Sequence, residues 1–470
     1  VLLTVTAAQV LSVASTTVIA VALPSLARDL DAGGSEQQWV VDAFVLVFAS
    51  LLIAGGVLGD RYGRRRALLT GLGLFAAGSL WCALAPTTGW LLAGRVLQAL
   101  GPALVLPASL AIVTTTYTDR AARARAIGLW GAGSGIGLTL GPLLGGLIVE
   151  VLGWRWVFGV NVPLCALLAL MALRGVPRDQ PADPSNRFDA AGALLLTGAV
   201  AMLVFAVIEG PGLGWDSAPV LAAFGTALVL LAAFVRQESR HPAPLIDLGL
   251  LRQRPFLAAN LGGATLYGAL TGSAVYVSVF FQQVQGRSAL EAGLCLLPQG
   301  ALTALCAPIS GRLTARVGPR LPILAGLAIA CAGVFALLRL EPSTPIADVW
   351  WVFALLGIGT GISLPAMTVT AVSAVESEQA GMASAVHNTS RQLGQTFLVA
   401  ILGTIIFASA GEQAGHGRLT GEPATAWIDG LHASVVVAGV LVGLAGLAIA
   451  ALVPRRVDAA AADRELARSG

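Results

Sequence analysis

The chain has 470 residues, 56% of them hydrophobic and only 11% charged, with a formal net charge of +3 and a mean hydropathy of +0.81. That composition excludes a set of soluble domains, and so small a net charge excludes the strongly basic surface of a nucleic-acid-binding protein. The five cysteines all lie in apolar runs with no CxxC or metal-ligand spacing, so neither a disulfide scaffold nor a metal centre is expected.

Windows of about 19 residues predict fourteen apolar spans. They lie near 3–25, 38–58, 67–86, 90–114, 125–149, 156–174, 190–209, 218–236, 255–282, 289–310, 321–339, 349–371, 381–409 and 431–453. Each reaches or approaches the roughly 20 residues that cross a bilayer, so the expected fold class is an all-α polytopic membrane protein. Val1 already lies inside the first run; a preceding tail is expected to be missing, and no signal-peptide n-region or cleavage site is visible. Every basic side chain apart from histidine is arginine, and the arginines sort the loops into two ends. Arg61, Arg64, Arg65 and Arg66 follow the second span, Arg120, Arg123 and Arg125 the fourth, Arg240, Arg252 and Arg254 the eighth, and Arg312, Arg316 and Arg320 the tenth; Arg455 and Arg456 follow the last. The alternate loops 26–37 and 410–430 are acidic on balance. The positive-inside rule then predicts that the arginine-rich end and both termini are cytoplasmic. One loop on that side, 372–380, breaks the pattern with Glu376, Glu378 and no arginine.

Along the chain, Asp42 lies three residues after Trp39 in the second span, and Arg95 five after Trp90 in the fourth. Both are expected at similar depth toward the arginine-poor end. Charge inside a membrane costs a few kcal/mol, and a carboxylate whose arginine contact changes between conformations can load and release a proton. A static buried pair, or an Asp42 that faces water at the rim, fits the same residues. In the fifth span Gly133, Gly137, Gly141 and Gly145 line one helix face beside Pro142, as ordinary small-residue packing or as a tight seam between two halves. In the ninth, Tyr267, Tyr276, Phe280 and Gln283 suit either a planar amphiphile or an interfacial belt. In the thirteenth, His387, Arg391 and Gln395 share a face, with Asn388 beside it. That face suits an anionic or hydrogen-bonding solute in a central cavity, with Gln98 of the fourth span, or a structural arginine held by backbone carbonyls. No nucleotide loop or nucleophile with its base is present, so neither an enzyme nor a cofactor is expected.

An internal echo sets the architecture. GGVLGDRYGRRR at 55–66 returns as ISGRLTARVGPR at 309–320, matching Gly56, Leu58, Arg61, Gly63 and Arg65 at an offset of 255, and GPALVLPAS from Gly101 returns as GTGISLPAM from Gly359 at an offset of 258. Two unrelated stretches that return at nearly one offset point to a duplication. The expected organisation is a six-helix half at 1–174, a linker with two inserted spans at 175–240, a second six-helix half at 241–456 and a cytoplasmic tail at 457–470. Duplicated halves imply a carrier with its substrate site between them, worked by rocking one half against the other.

On these residues the chain resembles the major facilitator superfamily, and within it the fourteen-span drug:proton antiporters. GGVLGDRYGRRR resembles the superfamily's loop signature, LLAGRVLQALG at 91–101 the fourth-span signature and GLTLGPLLGGLI at 137–148 the fifth-span antiport signature; WRWVFGVNVP at 154–163 and NTSRQLG at 388–394 are similar to further marks of the branch. The resemblance implies a bacterial inner-membrane exporter of small amphipathic molecules in exchange for protons, working as a monomer. It also implies a cytoplasmic gate made by Gly56, Asp60, Arg61, Gly63, Arg64 and Arg65 against Glu376 and Glu378. One departure is that Ser15 stands where the family's first-span pattern carries an acid, in ASTTVIAVALP at 14–24. A serine holds no titrating proton, so coupling is expected to fall on Asp42, with Arg95. A dedicated exporter of one metabolite, antibiotic or lipid, not coupled to protons, is the alternative.

Overall fold

The computed structural model describes residues 1–117, 120–177, 189–241, 244, 246, 248–375, 380–411 and 419–453, without the side chains at 53, 60, 120–125, 127, 128, 132, 251, 315, 380–382 and 385. Helices α1 (Leu2–Thr17) and α2 (Ile19–Leu30) form one path bent by 48° around Val18. Just before the bend, the hydroxyls of Ser15, Thr16 and Thr17 donate to the carbonyls of Leu11, Val13 and Ala14, and such back-bonding competes with the helical ladder. Helices α3 (Gly34–Tyr62) and α4 (Arg64–Ala83) are separated by Gly63 alone. Its φ of 107° is open to glycine and strained for any other residue. Helices α5 (Thr88–Thr116), α6 (Arg120–Leu152), α7 (Arg155–Gly159) and α8 (Asn161–Gly175) complete a first bundle.

Helices α9 (Ala190–Leu213) and α10 (Ala218–Glu238) pair as a hairpin, and α9 also lies on α3 and α15. A second bundle holds α11 (Arg254–Gln283), α12 (Ala289–Val317), α13 (Arg320–Ala336), α14 (Trp350–Ser373), α15 (Ala380–Ala410) and α16 (Glu422–Leu452). Among the described residues no strand occurs. Twelve helical stretches there are long and apolar enough to cross a membrane, or thirteen with the bent α1–α2 pair counted as one. The 29-residue α3 is outside that set and packs against α5 and α15.

The bundles meet along α6 with α12, α3 with α15, and α2 with α11. The largest core runs the length of the second bundle, from Phe256, Ile323 and Ile449 to Tyr276, Phe280, Phe353 and Trp427, and takes in the first bundle mainly toward the arginine-poor end, through Ile19, Leu26, Val40, Leu91 and Phe158. A second core, with Leu68, Phe75, Val105, Ile112 and Ala172, contains only the first bundle's residues. Close packing shared by the two bundles therefore closes one end of the molecule, since helices in lipid are held by van der Waals contact and interhelical hydrogen bonds rather than by removal of apolar surface from water.

Candidate functional site

Arg95 of α5 packs on the face of α3 opposite to the one that carries Asp42. Val40 and Phe44 are four residues apart and share a face, while Asp42 is offset from both by about 200° at 100° per residue. Arg95, 1% exposed, comes to the Val40 face: its Nε donates to the Val40 carbonyl at 3.0 Å, Nη1 donates to Gln98 Oε1 at 2.8 Å, and the guanidinium lies 4.3 Å from the Phe44 ring centroid. Gln98 passes the chain on by donating to Ser79 Oγ at 2.8 Å. The expected Asp42–Arg95 pair is thus not formed, and Gln98 belongs to this closed network inside the first bundle rather than to a cavity.

Asp42 turns the other way, toward the second bundle. It is 0% exposed, and among the described residues neither carboxyl oxygen has a hydrogen-bond partner. Tyr276 of α11 lies against Gly403 of α15, and its hydroxyl donates to the Val399 carbonyl of α15 at 2.9 Å. One turn before Asp42, Gln38 sits against Gly403 of α15, and a Cβ on Gly34 would stand 2.7 Å from the Phe407 ring. Asp42 is therefore enclosed where α3, α11 and α15 meet, on the seam between the bundles.

The second seam runs along α6 and α12. A Cβ on Gly146 would stand 2.6 Å from the Ala289 carbonyl, and one on Gly135 2.7 Å from Ala304 Cβ; Gly293 and Gly300 abut Pro142 and Thr139. The expected glycine row faces elsewhere. Gly133, Gly137, Gly141 and Gly145 pack on Thr6, Val10, Thr17 and Val18 of the same bundle. The reason is helical phase: a two-residue offset turns a row by about 200°, so α6 meets α1 and α2 with one row and α12 with the other.

Below Gly135 and Ala304 the bundles part. Gly131 lies one turn from Gly135, and Gly311 three turns from Gly300 on the same face, yet neither has anything within 4 Å of its Cβ position. Gly131 and Gly311 are themselves exposed. The molecule is closed at the arginine-poor end and open toward the arginine-rich one.

The polar face of α15 lies beside α11. A Cβ on Gly263 would stand 2.8 Å from His387 Cε1 and 3.2 Å from Arg391 Cγ. The Arg391 guanidinium lies 4.6 Å from the Tyr267 ring centroid, and Nη1 donates to Asn388 Oδ1 at 3.3 Å. Tyr267, Asn388 and Arg391 are half-buried, whereas His387 and Gln395 are buried, and both His387 ring nitrogens lack a partner among the described residues. Tyr276, Phe280 and Gln283 do not line an open cavity as expected; they are buried in the closed layer, where the Gln283 carbonyl accepts from Leu419 N at 2.8 Å. Rings and amides placed near the end of α11 serve the closure because that end is where the bundles touch.

Of the expected gate, Glu376, Glu378 and the Asp60 side chain lie outside the described residues. Gly56 faces Pro107, Arg61 lies over the Tyr62 ring, and Arg65 Nη2 donates to the Leu173 carbonyl near the end of α8 at 2.6 Å. At the other end Trp154 Nε1 donates to Asp29 Oδ2 at 3.0 Å, and Arg155 joins the same carboxylate to the Ala85 carbonyl. Sequence reasoning missed the Gly135 and Gly146 seam. It also missed Glu209, whose signal was available as the one acid in the apolar run 190–209.

The Major Facilitator Superfamily pattern matches residues 5–399. The chain is 39% identical to Multidrug resistance protein Stp of Mycobacterium tuberculosis, over 83% of this chain and 72% of that one. It is 36% identical to Puromycin resistance protein pur8 of Streptomyces alboniger, over 94% and 88%, and 35% identical to Methylenomycin A resistance protein of Bacillus subtilis, over 85% and 86%. Its fold is similar to that of a bacterial homologue of the human lysosomal transporter Spinster, solved inward-facing and unoccupied, with a TM-score of 0.65 at 21% identity over 97% of this chain and 98% of that one.

Proposed function

The chain belongs to the major facilitator superfamily, a family of transporters rather than enzymes, and from that membership we propose that it exports amphipathic small molecules across a bacterial inner membrane in exchange for protons. The names of its relatives support the cargo: they confer multidrug, puromycin or methylenomycin A resistance. The arginine distribution supports a cytoplasmic arginine-rich end, which makes the open end the cytoplasmic one and this conformation the one that loads cargo.

The observation that carries proton coupling is Asp42, sealed on the seam between the bundles and without a partner among the described residues. A carboxyl group that water reaches only when the seam opens exchanges its proton only then, so proton movement follows the same rocking step that moves the cargo. Ser15 does not supply this function, since its hydroxyl is spent on the Leu11 carbonyl. Tyr267, Asn388 and Arg391, half-buried toward the open end, present a ring, an amide and a cation to an incoming solute. On rocking the other way, the arginines after α3 approach Glu376 and Glu378, a latch of exposed pairs worth about 0–1 kcal/mol each and so easily reopened.

The test is flux in proteoliposomes under an imposed pH gradient. Asp42→Asn is expected to bind cargo as the wild type does and to lose gradient-driven export at least tenfold. Undiminished gradient-driven export by that variant would overturn the assignment.

A further inference from the structure

We propose that the inserted helix α9 is a strap across the seam between the bundles, and that Glu209 is the positioning residue that fastens it.

The strap is tied on both sides near the arginine-poor end. On the first bundle, Ser35 Oγ donates to Glu209 Oε1 at 2.6 Å, and Trp39 Nε1 donates to the same oxygen at 3.0 Å. On the second, Thr404 Oγ1 of α15 donates to the Val207 carbonyl at 2.9 Å. That carbonyl is available for a chemical reason: its helical partner would be the N–H of residue 211, which is Pro211 and has none. From the fasteners back along α9 runs one apolar core of Leu196, Val200, Val204 and Ile208 with Leu46 of α3 and Ala400 of α15.

The strap also lies over the enclosed carboxyl. Ser35, Trp39 and Asp42 are spaced i, i+4 and i+7, so they share a stripe of α3. Trp39 packs on Phe205 at 6.5 Å between centroids, and Leu46 continues the stripe one turn beyond Asp42. Opening the arginine-poor end separates α3 from α15, so one of the two fasteners has to release. Glu209 thereby sets how readily that end opens and how readily Asp42 is uncovered.

The experiment measures spin-label distances across the arginine-poor end, with labels at Thr87 and Ser343, both exposed and one in each bundle, on a cysteine-free chain that keeps transport. Glu209→Ala is expected to raise the ratio of the long-distance to the short-distance population about three- to tenfold, because opening then no longer has to break the weaker fastener, the single neutral hydrogen bond at Thr404. Glu209→Gln keeps an acceptor oxygen and is expected within about twofold of the wild type. Thr404→Val, nearly isosteric, removes the other fastener and is expected to shift the ratio the same way. An unchanged distribution in a folded Glu209→Ala chain overturns the proposal, as does a shift in Glu209→Ala with none in Thr404→Val, which would confine Glu209 to α3. The measurement uses neither gradient nor cargo, so its outcome is independent of the proton-coupling test.

Discussion

Arg95 is held by a backbone carbonyl, an amide oxygen and an aromatic face, and no carboxylate among the described residues comes within salt-bridge distance of it. Its planar fork is what lets one side chain reach Val40 and Gln98 together, which a lysine's single ammonium does not reproduce. Arg95→Lys is therefore expected to cost about 1–3 kcal/mol, the range for a buried group left unsatisfied, read as a lower melting temperature in detergent. Because Asp42 points away from this network, gradient-driven export per folded molecule is expected to persist in Arg95→Lys. Its abolition would mean that the two residues act as a pair after all. That both residues are unusual was legible from the rarity of charge in apolar spans. Their separation was not, because it depends on which neighbour each face of α3 meets.

At the scale of an element, α6 carries two small-residue rows with different work. The Gly137 row closes on α1 and α2, whose relation to α6 does not have to change during rocking, so Gly137→Ala is expected to destabilise the first bundle by about 1–3 kcal/mol, measured by thermal unfolding. The Gly146 and Gly135 row closes on α12 of the other bundle. Gly146→Ala pushes on a backbone carbonyl across the seam, so it is expected to enlarge the open population at the arginine-poor end in spin-label distances, with a melting temperature near the wild type. Gly311→Ala meets open space and is expected to change neither. The recurrence of glycine at every fourth residue was visible in the sequence, but not whether the row packs within its own bundle or between the two halves, since periodicity fixes a stripe and says nothing of what packs on it.

At the scale of the molecule, closure at one end and opening at the other predict a pattern of chemical access. Gly131 and Gly311 face each other's bundle across empty space, so cysteines placed there are expected to react with a membrane-impermeant maleimide from the arginine-rich side. In inside-out vesicles, that labelling is expected to exceed labelling in right-side-out cells several-fold, and to fall when the carrier is turned to its opposite state. Equal labelling from both sides would contradict the orientation read from the arginines.

Patterns read along one chain point to apolar spans, to a cytoplasmic arginine-rich end and to a duplication at offsets of 255 and 258, and they point to the family that the match over residues 5–399 shows. Which face of each helix looks at which neighbour emerges only on packing: Asp42 toward the seam, Arg95 away from it, the Gly137 row inward and the Gly146 row across. It also brought the carbonyl freed by Pro211 to Thr404 and the Glu209 carboxylate to Ser35 and Trp39. The physical reason is that about 100° of rotation per residue makes facing sensitive to single positions, and contacts between remote helices are settled by packing that no local pattern records.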